Sequence, residues 1–310
     1  MADLTKRMQM AGKLESVEGV AETLTGAEAF LAIAPGWDPE IGRYQADPAK
    51  ETLGEIESQP GERSAKISWS SHLAGSGTPG TPPWWGKYFK ACGAQEIITP
   101  GVSVEYKPAT LNVPSVTLGR YTGTLRKTVW GCRGDLKVVM DKAKGLLGQF
   151  NFQGMDFTVV DGGFLAGANY APMLIQPPLF LGVSFLFDSY QAIISKSELS
   201  LGNTLILPDD AGAPSGFRPA ILGPRHPKWS FDPAAVAVAT KDFYGKWRAS
   251  GGAAMSCTVG STPGNIITIT AGKAQLEDLK PGDRKEIRIF QTTAALKETN
   301  GDDEWSILLT

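Results

Sequence analysis

The chain has 310 residues, among them 36 glycines and 21 prolines, and a formal net charge of −2. That length accommodates roughly two domains with cores of their own, and the interspersed charges exclude both a basic nucleic-acid-binding block and an acidic tail. Cys92, Cys132 and Cys257 are widely spaced, odd in number and free of any C-x-x-C, which argues against a disulfide framework and for reduced thiols packed as small apolar residues. The opening MADLTKRMQMAGKLES has no apolar signal region, and no apolar run is long enough to span a membrane, so the expectation is a protein made and used without secretion.

Residues 1 to 12 are polar and aperiodic, the pattern of a flexible arm. Short apolar stretches follow at Leu14 to Val17 and Phe30 to Ile33. From Gly36 to Ser64 the chain is polar and turn-rich, which reads either as a contact arm reaching a neighbouring subunit or as a plain loop. Ile67, Trp69 and Leu73 alternate with Lys66, Ser68, Ser70 and His72, so a strand with one apolar face is expected. After Pro82 and Pro83, the i, i+3, i+4, i+7 spacing of Trp85, Tyr88, Phe89 and Cys92 predicts a short helix closed by Gly93. Val102, Val104 and Tyr106 alternate up to Pro108. Leu136, Val138 and Met140, then Leu146, Phe150 and Phe152, predict two strands joined by a hairpin at DKAKG.

Val160 to Pro178 is a Gly/Pro-rich bridge. Beyond it FLGVSFLFDSYQAIISKSELSLGNTLIL is strand-rich, and PDDAGAPSGFRPAILGPRHP reads as a second long loop. Asp232 before Pro233 suggests a helix cap, with Val236, Thr240, Phe243 and Trp247 at helical spacing. Met255, Cys257 and Val259, then Ile267 and Ile269, Ile287 and Ile289, and a closing WSILL predict further strands. The fold class expected is mainly β (α+β).

Pieces of this pattern recur. Trp69 in KISWS has a counterpart in Trp229 of HPKWSF, and WGKYFKACG (Trp85 to Gly93) lines up with YGKWRASGG (Tyr244 to Gly252). The alternation of Met255, Cys257 and Val259 repeats that of Val102, Val104 and Tyr106. Such recurrence reads as one module written twice, residues 1–170 forming the first with its N-terminal arm and residues 171–310 the second.

Several motifs invite a chemical reading. GSGTPG, Gly75 to Gly80, matches G-x-G-x-x-G between a strand and a helix, so a dinucleotide-binding enzyme is one alternative. Pro79, Pro82 and Pro83 remove backbone N–H groups that a phosphate would need, and a flexible Gly/Pro loop is the competing reading. His72 and His226 are the only histidines, no Cys or His stands at metal spacing, and no G-x-S-x-G elbow occurs. The acid pairs Asp209 with Asp210 and Asp302 with Asp303 sit in polar turns and read as solvated charge; Arg133-Gly134-Asp135 spells an adhesion tripeptide that recurs by chance. The tryptophans fall mostly on apolar faces and read as core.

GKLESVEGVAETLTGAEAFLA, SSHLAGSGTPGTPPWWGKYFKACG and FDPAAVAVATKDFYGKWRASGGAAMSCTVGSTPGNIITITAGKAQ together resemble the tail tube (major tail) proteins of long, non-contractile-tailed bacteriophages and prophages, in order and over nearly the whole chain. The resemblance implies a β-sandwich or barrel core with a flanking helix in each module, and no catalytic residue, cofactor or metal. It implies self-assembly into stacked rings that conduct double-stranded DNA during ejection, without specific binding of that DNA and without a membrane. The further partners implied are a tape-measure protein and a terminator or initiator complex, and the location is the virion tail, assembled in the host bacterial cytoplasm. If each chain supplies two modules, a trimeric ring with pseudo-sixfold symmetry is expected, with a lumen richer in Asp and Glu than in Lys and Arg. The alternatives are a β-sandwich module binding a receptor or carbohydrate, and another virion component of the capsid or baseplate.

Overall fold

The stretch QMAGKL supplies the first buried strand. In the computed structural model, which describes residues 4–310, it forms β1 (Gln9–Leu14), with Met10 and Ala11 buried. The flexible arm expected over residues 1 to 12 is therefore corrected for Gln9 to Gly12, while residues 1–3 lie outside the described residues. A capping box between Thr25 and Glu28 sets one 3-10 turn before β2 (Ala29–Phe30).

β3 (Ile33–Tyr44) and β4 (Gln59–His72) pair as a long antiparallel hairpin, so most of the expected loop from Gly36 to Ser64 is strand, and only residues 45–58 connect. β3 escaped sequence reading because nearly all of it is exposed or half-buried on both faces, which leaves no period of two. β4 buries Ile67 and Trp69 and turns Lys66, Ser68 and Ser70 the other way, as its alternation predicts. α1 (Gly86–Ala91) follows, with Trp85, Tyr88, Phe89 and Cys92 buried and Gly93 at φ 82°, the left-handed geometry that ends a helix.

The first half continues through β5 (Ala94–Thr99), β6 (Ser103–Pro108), β7 (Val116–Tyr121), the 17-residue β8 (Leu125–Asp141), β9 (Leu147–Gly154) and β10 (Asp156–Asp161). After the Gly/Pro bridge come β11 (Ser184–Phe187), β12 (Tyr190–Gln191), β13 (Lys196–Ser200) and β14 (Asn203–Ile206). β15 (Ile221–Arg225) lies inside the expected second loop and pairs with β14. β16 (Lys228–Phe231), α2 (Phe243–Ala249), β17 (Ala253–Val259), β18 (Ile267–Arg284), β19 (Ile287–Leu296) and β20 (Ser306–Leu309) complete the fold.

The helix expected from Asp232 is shorter and starts later. Asp242 is the cap, accepting from the Gly245 N–H at 2.6 Å. Asp232 is buried instead and accepts from the Ser195 and Lys196 N–H groups, with Arg284 beside it at 3.0 Å. A carboxylate with that many donors joins strands rather than capping a turn.

The fold is mainly β: the described residues form an 18-stranded sheet system plus the two-stranded β14–β15, with every pairing between named strands antiparallel. The pairings recur in order. β1 pairs with β2 and β7; β11 pairs with β12 and β17. β4 pairs with β3 and β9; β16 pairs with β13 and β19. β8 takes β7, β9 and β10; β18 takes β17, β19 and β20. By pairing, the counterpart of β17 is thus β7 and not β6, which carries the Val104 and Tyr106 of the sequence alignment; β5 and β6 form a hairpin with no counterpart in the second half.

A continuous cluster of buried side chains runs under both halves. Trp69 stacks on Phe150 and Phe152 at 5.1 and 5.2 Å, and Tyr88 of α1 closes the group edge-on. Trp229 meets Phe185 edge-on at 5.8 Å, and its indole N–H donates to the Ser197 hydroxyl at 2.7 Å. Truncating Trp229 removes both the packing and that donor. Trp229→Ala is expected to lower unfolding free energy by about 3–5 kcal/mol, whereas Leu53→Ala, at a fully exposed position, should change it by about 0.5 kcal/mol or less; guanidinium titrations of both variants check this.

Candidate assembly interface

A strand inside a sheet satisfies its backbone on two sides, and a strand at the border on one. The second half of β8 has β9 on one side and β13 on the other, through five residue pairs from Lys196 opposite Asp141 to Ser200 opposite Lys137. The matching part of β18, from Leu276 to Arg284, has β19 on one side and, among the described residues, no strand on the other; only the Trp247 indole N–H reaches it, donating to the Glu277 carbonyl at 3.1 Å. β13 lies between β16 and β8, whereas β3 has only β4. The place that β13 fills on β8 is therefore open on β18, and the contact that β13 makes is unmade on β3. These two borders end a row of eight strands, β3, β4, β9, β8, β13, β16, β19 and β18.

Both borders are protected. β3 carries Pro35 and Pro39 and a bulge at Ala34, whose φ is 48°; β18 carries Pro281. Prolines and bulges at sheet borders lower indiscriminate pairing.

The junction within the chain is reinforced from the side. Asn203, at the start of β14, donates from its amide to the carbonyl of Cys92 at 2.7 Å and to that of Gly134 at 3.1 Å. Arg133 is buried and donates to the carbonyls of Val113 and Ala220 while pairing with Glu18 at 2.7 Å. The connection between β13 and β16 is thus laid against the end of α1 and against β8. Arg133-Gly134-Asp135 is a strand interior and not an accessible tripeptide.

One face of the eight-strand row is the core. The opposite face is polar from strand to strand: Ser70, Gln149, Lys137, Ser200 and Lys228 lie side by side across β4, β9, β8, β13 and β16. Three of its lysines are engaged, Lys66 with Glu40 at 2.5 Å, Lys137 with Glu198 at 3.0 Å and Lys228 with Glu277 at 2.7 Å, while Lys196, exposed on the same side of β13 as Glu198, takes part in no ion pair among the described residues.

The residues singled out for chemistry go elsewhere. Gly75 donates its N–H to the Asn265 side chain at 2.7 Å and Gly77 to the Gly264 carbonyl at 3.1 Å, so two amides of the G-x-G-x-x-G stretch already bond to the turn before β18. A Cβ on Gly75 would sit 2.0 Å from the Gly264 oxygen. These glycines let two backbones approach. Asp210 is held below the usual carboxylate range by the Gly212 N–H and by Arg218, and Asp302 accepts from Thr110 and Arg225. His72 and His226 are exposed on separate elements, and the three thiols are buried, which pushes Cys257 up to about 12. Among the described residues no group of three or more His, Cys, Asp or Glu is placed to hold a metal. A hollow of about 820 Å³ beside Gly93, Leu222 and Arg225 has no Trp, Tyr or Phe in its lining, and Arg225 is occupied by Glu304 at 2.8 Å. No helix among the described residues is long and apolar enough to cross a membrane.

Sequence reading missed the two open borders, because a border is a property of pairing and not of any residue. The signal that could have found them is the pair of prolines in a polar, extended stretch. Compared with known proteins, the chain matches no family model and no curated sequence.

If Gly75 serves backbone approach, Gly75→Ala should cost about 1–3 kcal/mol, while Gly163→Ala, where the nearest atom would be 3.5 Å away, should be near neutral. Thermal melts check the pair. A dinucleotide titration of the unmodified protein is expected to give no saturable fluorescence change, and a saturable change lost in Gly75→Ala would overturn the packing reading.

Proposed function

We propose that the chain is the structural subunit of a bacteriophage tail tube, and that its two halves are copies of one module which continue the same sheet from chain to chain. The observation that carries this reading is the match between the filled place on β8 and the open place on β18. Placing β3 of one chain on β18 of the next repeats outside the chain the contact made inside it. Every chain then presents the same two borders, so the series either closes into a ring or runs on as a filament.

Size favours a ring of three. With strands about 4.8 Å apart and tilted by about 40°, one chain's row would enclose only side chains, whereas about 24 strands from three chains give a backbone diameter of roughly 48 Å. That leaves a lumen for a duplex with its hydration. Six modules would surround it with pseudo-sixfold symmetry.

The polar face suits the lumen. Each free Lys or Arg that met a phosphate would release counterions and hold the DNA in place. Lys66, Lys137 and Lys228 already hold carboxylates. Lys196 stands without an ion-pair partner among the described residues, but Glu40, Asp135, Asp141 and Glu198 share its face, so few free cations are left to arrest a sliding duplex. In this reading rings stack into a tube in the virion tail, with a tape-measure protein and terminator or initiator proteins as further partners.

Electron microscopy of concentrated protein, with symmetry taken from end-on views, tests the proposal. Rings or hollow tubes with three chains per turn are expected. Six intact chains per ring would overturn the duplication, and absence of the protein from purified tails would overturn the function.

A further inference from the structure

α1 packs on β8 and α2 on β18, but their ends differ in what covers them. Beyond the last turn of α1 the cover comes from the hairpin of the second half. Asn203 donates to the Cys92 and Gly134 carbonyls, and Leu222 packs so closely on Gly93 that a Cβ there would meet its side chain at 2.7 Å. Arg133 of β8 is buried at the same place and donates to the Ala220 carbonyl. The end of α2 is open: every residue from Trp247 to Gly252 is exposed, and the stem of Lys273 in β18 lies on Gly252, where a Cβ would meet its Cγ at 2.4 Å.

Pairing register says which residues hold the matching places. Trp69 faces Phe150 and Phe150 faces Leu136, as Trp229 faces Ala294 and Ala294 faces Leu276. Gly134 opposite Phe152 then corresponds to Ala274 opposite Leu296, and Arg133 to Lys273. The hairpins agree. Ser200 opposite Lys228 and Asn203 opposite Arg225 repeat Gly36 opposite Ser68 and Pro39 opposite Ala65, and Leu222 stands as far before Trp229 as Glu62 does before Trp69. Glu62 and Lys273 are both exposed, and neither takes part in an ion pair among the described residues. Arg63 beside Glu62 is held by Asp156 at 2.6 Å. The Glu62 carboxylate lies over Gly42 of the border strand β3, where a Cβ would meet its Oε1 at 2.3 Å.

We infer that Glu62 of one chain forms an ion pair with Lys273 of the adjacent copy, just past the last turn of that copy's α2. The inference rests on the ring reading and deepens it. When β3 takes the open place on a neighbour's β18, Gly36 falls opposite Asp278 as Ser200 falls opposite Lys137 within the chain. That register sets Glu62 over the neighbour's Gly252 and Lys273, as Leu222 sits over Gly93 and Ala220 on Arg133. The chemistry differs because the exposure differs. Inside the chain the contact is made on folding, so an apolar side chain and a buried guanidinium serve. Between chains both places stand in water until two copies meet, where charges avoid an exposed apolar patch and then steer and orient the encounter.

Site-specific crosslinking of the full-length chain tests this. Glu62→Cys and Lys273→Cys are made in separate chains, mixed in equal parts, assembled and treated with a short bismaleimide, whose reach matches that of a Glu–Lys pair; the native thiols are all buried. A crosslinked dimer holding one chain of each kind is expected, with none from either variant alone and none before assembly. Rings or tubes that form without that dimer would overturn the pairing and leave the ring reading intact. An unmodified chain that never assembles, at high concentration or on purified tail initiators, would overturn both. Charge reversal gives a second readout that needs no cysteine. Glu62→Lys should raise the concentration required for assembly about fivefold at low salt, and adding Lys273→Glu should bring it back. An increase that persists in the doubly reversed chain would contradict the pairing.

Discussion

A backbone N–H or C=O at the border of a sheet must find a partner or remain in water, and where the borders fall decides what a β protein can assemble with. In this chain they fall at complementary places. β8 is long enough to serve two neighbourhoods, with β7 and β10 on its first half and β9 and β13 on its second. β18 has the same division and lacks only the partner that β13 is to β8. The core depends on this arrangement, because the apolar faces of β4, β9, β8, β13, β16 and β19 are continuous only while those strands stay in register. Buried groups such as Arg133 and Asp232 act on the same joints, one tying the β14–β15 side to β8 and the other tying β13 to β18.

The rest of the molecule can be ordered by its distance from those joints. The Gly75 to Gly80 stretch secures the start of β18 through Gly264 and Asn265, far from any phosphate role. β20 continues past β18 to β6, so the C-terminal strand of one half closes against a hairpin of the other. β3, the 45–58 connection and the outer side of α2 are among the exposed parts of the molecule.

Much of the fold was legible because burial and alternation coincide. Trp69, Phe150, Leu136, Cys257 and Ile269 sit on strands that are apolar on one face and polar on the other, and each is buried as its parity predicts. α1 was legible for the same reason at helical spacing. Three features were not. β3 is wet on both faces and so carries no period. The opening residues of β1 look polar because Gln9 reaches its partner Leu165 through its side chain, a bond that sequence cannot disclose. Asp232 before Pro233 has the form of a cap, but the strands around it supply better donors than a helix start would. Recurrence of KISWS and WGKYFKACG pointed to paired modules, yet which strand matches which emerged only from pairing, where β7 takes the part that alternation had given to β6.

The central claim is that the border of β3 and the second half of β18 meet between copies. Amide hydrogen exchange, compared between the free chain and assembled material, reads this strand by strand. The account predicts that outward amides between Ile33 and Asp38 and between Leu276 and Arg284 exchange freely in the monomer and become protected on assembly, while the β8–β13 junction is protected in both states. Assembly that leaves those two stretches exchanging as they do in the free chain would contradict it.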